Sequence, residues 1–207
     1  MTLILREALL SDIEALVDIY FSAFTIDAIS LLAFPRNNTA VTKFWLDMLT
    51  EEFSDPFSRF VVVTSAEQVV AWAHWVLPKN TEISTEMPQW PEGCDVQLAN
   101  HFFTNLFQRR KKSMGERPHW YLELVATRPE WQGKGAAGKL LRWGLEKADD
   151  EKLEAYLEAS PDGKPIYEHF GFVETERMVV DLEGRDPCGT GETAFVEVMM
   201  IRAAKRN

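Results

Sequence analysis

Apolar positions along the chain follow two alternating periods, and the switches between them mark out the elements. Residues 2–8 alternate as a strand. Ser11-Asp12-Ile13-Glu14 then opens a helix, with Ser11 as N-cap and Glu14 completing a capping box. Ile13, Leu16, Val17, Tyr20 and Phe24 form its apolar stripe. A connection over residues 27–38 carries Leu31, Leu32, Phe34 and Pro35, and a second helix is predicted over about 40–53 with Phe44, Trp45, Met48 and Leu49 inward. Residues 59–65 and 68–77 read as two strands joined by the short turn Ala66-Glu67, a hairpin signal. Residues 78–118 differ in composition: a loop-like part with Asn80, Thr81, Glu86, Pro88, Pro91 and Gly93 precedes an amphipathic helix over 95–112.

Residues 121–141 organise the rest. Large apolar and β-branched residues begin a strand, Pro129 biases Arg128 away from helix, and after three glycines Leu140, Leu141 and Leu145 recur at helical spacing. A further strand (153–159), the turn Ser160-Pro161-Asp162-Gly163, a short helix (165–170) and two last strands (172–182 and 193–203) complete the order. The pattern predicts an α/β (α+β) fold with a mixed, mostly antiparallel sheet flanked by helices. It is parallel only where the central strand meets residues 153–159, because one strand–helix–strand crossover interrupts a chain of short connections.

At 207 residues, 46% hydrophobic and 12% aromatic, the chain is expected to form a single domain, residues 1–207, with an insertion at about 78–118. A net charge of −10 argues against a nucleic-acid partner; it could attract a cationic substrate, but solubility is the better account of it. No run approaches the ~20 apolar residues of a membrane helix. Cys94 and Cys188 have neither metal-ligand spacing nor a disulfide framework, so no metal is expected and a cytoplasmic setting is the expectation. A monomer or homodimer is equally compatible.

Strand, glycine-rich turn and helix start together present unpaired N–H groups to a phosphate. Three motifs overlap there. Gly133 to Leu140 nearly spells a P-loop, but Leu140 lacks the hydroxyl that magnesium requires. Gly133, Gly135 and Gly138 spell G-x-G-x-x-G, and Glu158 lies at the distance of a ribose-binding acid, so an NAD(P)-binding Rossmann oxidoreductase is an alternative. Five residues, Arg128 to Gln132, separate the strand from that turn, however. The third motif, Gln132-Gly133-Lys134-Gly135-Ala136-Ala137, follows Thr127-Arg128-Pro129-Glu130-Trp131, and Ile166-Tyr167-Glu168-His169-Phe170-Gly171-Phe172 lies downstream. Together these resemble the GCN5-related N-acetyltransferase (GNAT) superfamily.

That resemblance implies an N-acetyltransferase with acetyl-CoA as co-substrate, direct attack by an amine in a ternary complex, and a splayed central strand. Leu124, Val125, Ala126 and Thr127 would hold the pantetheine arm by their backbone, the Val125 N–H serving the thioester carbonyl. Gln132, Gly133, Lys134, Gly135, Ala136, Ala137 and Gly138 would hold the pyrophosphate. Tyr167 matches the family's general acid to the coenzyme thiolate, or else packs before Gly171-Phe172. Ser160 contacts the coenzyme arm or caps the next helix. The base does not transfer by motif. Strand alternation puts Tyr121, Glu123 and Val125 on one face, which makes Glu123 a candidate base, a substrate ligand or an ion-pair partner. His74 reads as a satisfied sheet histidine or an acceptor-site residue. The run Arg109-Arg110-Lys111-Lys112 reads as a favourable charge set at a helix C-terminus or a contact for the coenzyme's 3′-phosphate. Phe34, Trp72 and the aromatic residues of the insertion suggest an apolar-walled pocket for a small-molecule amine acceptor. A non-catalytic acyl-CoA-binding protein is the remaining alternative.

Overall fold

In the computed structural model, which describes residues 2–79 and 86–205, seven strands form one sheet in the order β1-β2-β3-β4-β5-β7-β6. Asn80 and Thr81, expected in a loop, fall outside the described residues. β1 (Ile4–Glu7), β2 (Ser58–Ser65), β3 (Gln68–Val76) and β4 (His119–Thr127) make one half. β5 (Glu154–Ala159), β6 (Val173–Asp181) and β7 (Ala194–Arg202) make the other. Every neighbouring pair is antiparallel except β4 and β5. Parallel neighbours need a long crossover, here α5 (Ala136–Asp150). The sheet is therefore the predicted one. A doubly wound dinucleotide fold, which requires an essentially parallel sheet, is excluded.

Helices cover both faces. α1 (Ile13–Ala23) and α3 (Thr39–Ser54) pack on Val62, Trp72 and Ala126. α5 packs on the opposite face against Val61, Trp75, Leu122 and Leu157. α2 (Ala28–Ala33) and α4 (Val96–Met114) cover Tyr121, Tyr156, Met178 and Met199. The hairpin turn has φ of +47° at Ala66 and +69° at Glu67, the doubly left-handed geometry whose twist matches the flanking strands.

Two local expectations need correction. The chain enters α1 through a 3-10 turn, Leu10–Asp12, and the capping acid is Asp12, whose carboxylate accepts the Leu9 N–H at 2.7 Å and pairs with Arg6. That bidentate arginine contact displaces the expected Ser11–Glu14 box. Within 27–38, read as a plain connection, α2 forms because Asp27 caps it by accepting the Ser30 N–H at 2.7 Å.

Gly144 shows how closely α5 lies on the sheet. A methyl built there would meet the indole of fully buried Trp75 at 2.2 to 2.5 Å. Gly144→Ala should therefore cost about 1–3 kcal/mol despite alanine's better helix propensity. A denaturant midpoint at or above that of the parent would show that the helix can lift without penalty.

Candidate active site

The site begins where two strands part. β4 and β5 pair only from His119↔Glu154 to Leu122↔Leu157. Beyond that, β4 stays with β3 as far as Thr127 and β5 with β7 as far as Ala159. The first residue past the split is a glutamate on each side, Glu123 and Glu158.

A β-bulge sets the direction of Glu123. Trp75 pairs with Leu122 and His74 with Leu124, so Glu123 is an extra residue with no partner on β3. Such insertions re-aim side chains next to functional sites. The bulge also breaks the alternation expected from the sequence. Tyr121 lies in the cluster under α2 and α4, whereas Val125 packs on the α5 side. The shared face of Tyr121, Glu123 and Val125 is thus not what forms.

Glu123 reaches instead toward β3 and α3. Its carboxylate lies 3.1 Å from His74 Nδ1, and Glu52, from α3, lies 3.5 Å from the same nitrogen. His74 Nε2 contacts Ser58 Oγ at 3.0 Å, and Phe60 stacks on the ring at 4.2 Å between centroids. His74 is only 3% exposed. Burial opposes its charge, but Glu123 and Glu52 outweigh that and raise its pKa. For Glu123, burial pushes upward and His74 pulls further down, leaving it below the usual carboxylate value. Glu52 takes the burden: burial, then repulsion from Glu123, lift it to about 8. One donor atom from each of the three lies within 4.8 Å of the others, a spacing a metal ion could also use. Glu52, half-buried, was missed in the sequence, because nothing local distinguishes it from Glu51 in the last turns of α3.

Glu158, across the split, is pushed up to about 7 by burial, against the opposing pull of Arg110 and the hydroxyls of Tyr121 and Tyr156. Tyr167, on α6 (Lys164–His169), is buried, and Phe172 meets its ring edge-on at 6.1 Å. Burial and then Glu197 raise its pKa, so the phenol stays protonated. Gly163 makes room for it: a Cβ there would lie 3.3 Å from Tyr167 Cε2. Ser160 Oγ accepts the Gly163 N–H at 3.2 Å, shaping that turn while its own proton stays available.

The glycine-rich turn follows the open end of the split. Gly133 (φ +70°) and Gly135 (φ +88°) adopt left-handed backbone, and a Cβ on either would meet nothing within 4 Å. Among the described residues, none accepts a hydrogen bond from the amides of Gly133 to Gly138, and no side chain caps α5. Those amides, with the helix dipole behind them, are arranged as an anion requires. Gln132 Nε2 points back to the Thr127 carbonyl at 3.4 Å, and the Lys134 ammonium sits 5.1 Å from the Trp131 ring.

Other candidates are occupied elsewhere. Arg110 stacks on Tyr121 at 3.6 Å, and Arg109 and Lys112 pair with Glu176. Phe34 and Trp72, 4% and 0% exposed, are core residues rather than pocket walls. Phe34 packs with Phe44, Trp45 and Trp90 because the insertion needs an apolar seat. A hollow of about 330 Å³ lined by Glu7, Trp120, Trp143 and Glu151 lies at the far end of α5, away from the turn. No described helix is long and apolar enough to cross a membrane.

A split sheet with free amides at its open end and acids at its apex suits a transferase that uses an acyl coenzyme. Residues 13–172 match the acetyltransferase (GNAT) family, and the chain belongs to it. An uncharacterized N-acetyltransferase of Schizosaccharomyces pombe is 47% identical over 55 residues, a stretch covering 26% of this chain and 22% of that relative. The structure of a histone acetyltransferase HPA2 and related acetyltransferase from Corynebacterium glutamicum aligns with a TM-score of 0.64 at 20% identity, covering 100% and 99% of the two chains. A polyamine N-acetyltransferase of Drosophila melanogaster, which catalyses the formation of N-acetylagmatine, aligns with a TM-score of 0.67 at 10% identity over 98% and 100%. At these identities the structural likeness carries the fold alone.

Proposed function

We propose that this acetyltransferase moves the acetyl group of acetyl-CoA to the amine of a small molecule, by direct attack in a ternary complex. The observation that carries the reading is the split between β4 and β5, with free amides at its open end and a hydrogen-bonded acid–histidine–acid set at its apex. The backbone of Leu124 to Thr127 lines the coenzyme arm, and the Val125 N–H polarises the thioester carbonyl. Amides of Gly133 to Gly138 hold the pyrophosphate, with Gln132 and Lys134 adding side-chain contacts. Glu123 accepts the proton of the attacking ammonium, and His74 Nδ1, facing both acids, passes it toward Glu52. As the N–C bond forms and the C–S bond breaks, Tyr167 donates its proton to the departing thiolate. The Drosophila enzyme of the same fold is named for a small cationic amine, which supports an acceptor of that size.

The relay fixes the sign of the pH dependence. Glu52 holds its proton below about pH 8 and loses it above. The receptive form is the ionised one, so turnover should rise with pH through about 8. Glu52→Gln should remove that inflection and lower the plateau by roughly 10²-fold, the scale of general base catalysis. The test measures thiol release from acetyl-CoA against a panel of amines and peptides, in parent and variant. Acetylation of peptides alone would overturn the small-molecule acceptor, and an unchanged inflection would remove the relay. Tight acetyl-CoA binding without any turnover would leave a non-catalytic acyl-CoA-binding protein.

A further inference from the structure

One buried acid on the acceptor side of the split has no counter-charge. On β5, Tyr156 and Glu158 share the face covered by α2 and α4. Glu158 pairs with Met199 on β7, so Glu197, two residues away, lies diagonal to Glu158 on that face. Asp27, the cap of α2, stands close enough for its charge to act on Glu197. The excursion between β6 and β7 ties this corner down, with Cys188 Sγ donating to the Ile26 carbonyl at 3.2 Å.

The other two acids have cations near them: Arg110 acts on Glu158 and Arg36 on Asp27. Glu197 has none. It is 8% exposed and, among the described residues, makes neither a hydrogen bond nor an ion pair, and its charged neighbours are the acids Glu158 and Asp27. On the same face the fully buried Tyr156 hydroxyl makes no close hydrogen bond and has Glu158 beside it. Buried polar groups are ordinarily satisfied, and an unpaired acid beside a buried hydroxyl without a close partner calls for a ligand. We infer that the acceptor carries a second cationic group, seated by Glu197 between Glu158 and Asp27, while its reacting amine sits beside Glu123, a subsite that rests on the amine acetylation proposed above.

Burial and the two neighbouring acids push the Glu197 carboxyl well above its ordinary value, toward its neutral form. A docking ammonium reverses that balance: the carboxyl gives its proton to solvent and the carboxylate pairs with the cation. Binding of a dication should therefore release more protons than binding of a monoamine.

The experiment compares α,ω-diamines of increasing length with monoamines of the same length, in the full chain with acetyl-CoA, for the parent and Glu197→Gln. The parent should favour the best diamine by at least about 10-fold in kcat/KM, and the variant should lose most of that preference. Calorimetry in buffers of different ionisation enthalpy reads the released proton, and still decides the question if the variant does not fold. Equal use of diamines and monoamines overturns the subsite, as does a preference that survives in folded Glu197→Gln or a dication that releases no extra proton. Diamine-selective binding without acetylation of any amine sinks the proposed reaction and leaves the subsite standing.

Discussion

Gly135→Glu should bind acetyl-CoA too weakly for calorimetry to detect, while remaining folded. Gly135 is left-handed at φ +88°, so any side chain costs strain of about 1–2 kcal/mol. A Cβ there meets nothing within 4 Å, so no steric collapse adds to it. The large effect comes from placing a carboxylate among amides that otherwise face an anion, at the positive end of the α5 dipole. Gly135→Ala separates the two contributions: it carries the strain without the charge and should lose far less affinity. If the glutamate variant binds as the parent does, the turn does not hold the pyrophosphate.

Tyr167→Phe should lower turnover by roughly 10²-fold or more with nearly unchanged acetyl-CoA affinity. The ring is buried against Phe172, and the hydroxyl makes no hydrogen bond with a described residue, so its removal leaves packing almost intact. With the phenol raised by burial and Glu197, it remains a neutral donor throughout the working range. Thiol-release rates at saturating coenzyme, beside a binding isotherm, separate the two quantities. A variant as fast as the parent would make Tyr167 a packing residue.

What the sequence disclosed and what it hid divide by the distance between partners. The glycine-rich turn was legible because Gln132 to Gly138 is contiguous, and Gly133 and Gly135 adopt left-handed backbone. The one parallel pair followed from a single long crossover. The bulge at Glu123 was not legible, since it exists only in the register between β3 and β4. Strand alternation, which assumes an unbroken ladder, therefore gave Val125 the wrong face. The Glu52–His74–Glu123 set joins a helix and two strands separated by tens of residues, and no local pattern points from one to another. The short α2 escaped notice because Pro35 and its aromatic neighbours look like a loop, while its stability comes from the Asp27 cap and the seat under α4.

Among the described residues, the four residue pairs joining β4 to β5 are the only ladder between the two halves of the sheet. On the proposed reading, a coenzyme arm bonded along the free edge of β4 acts as a borrowed strand. Catalytic occupancy and mechanical cohesion then draw on the same contacts. By mass action, a ligand at ~100 times its Kd adds about 2.7 kcal/mol to the folded state. On that reading the coenzyme-free chain is the looser one, and coenzyme concentration bears on its stability as well as on its rate.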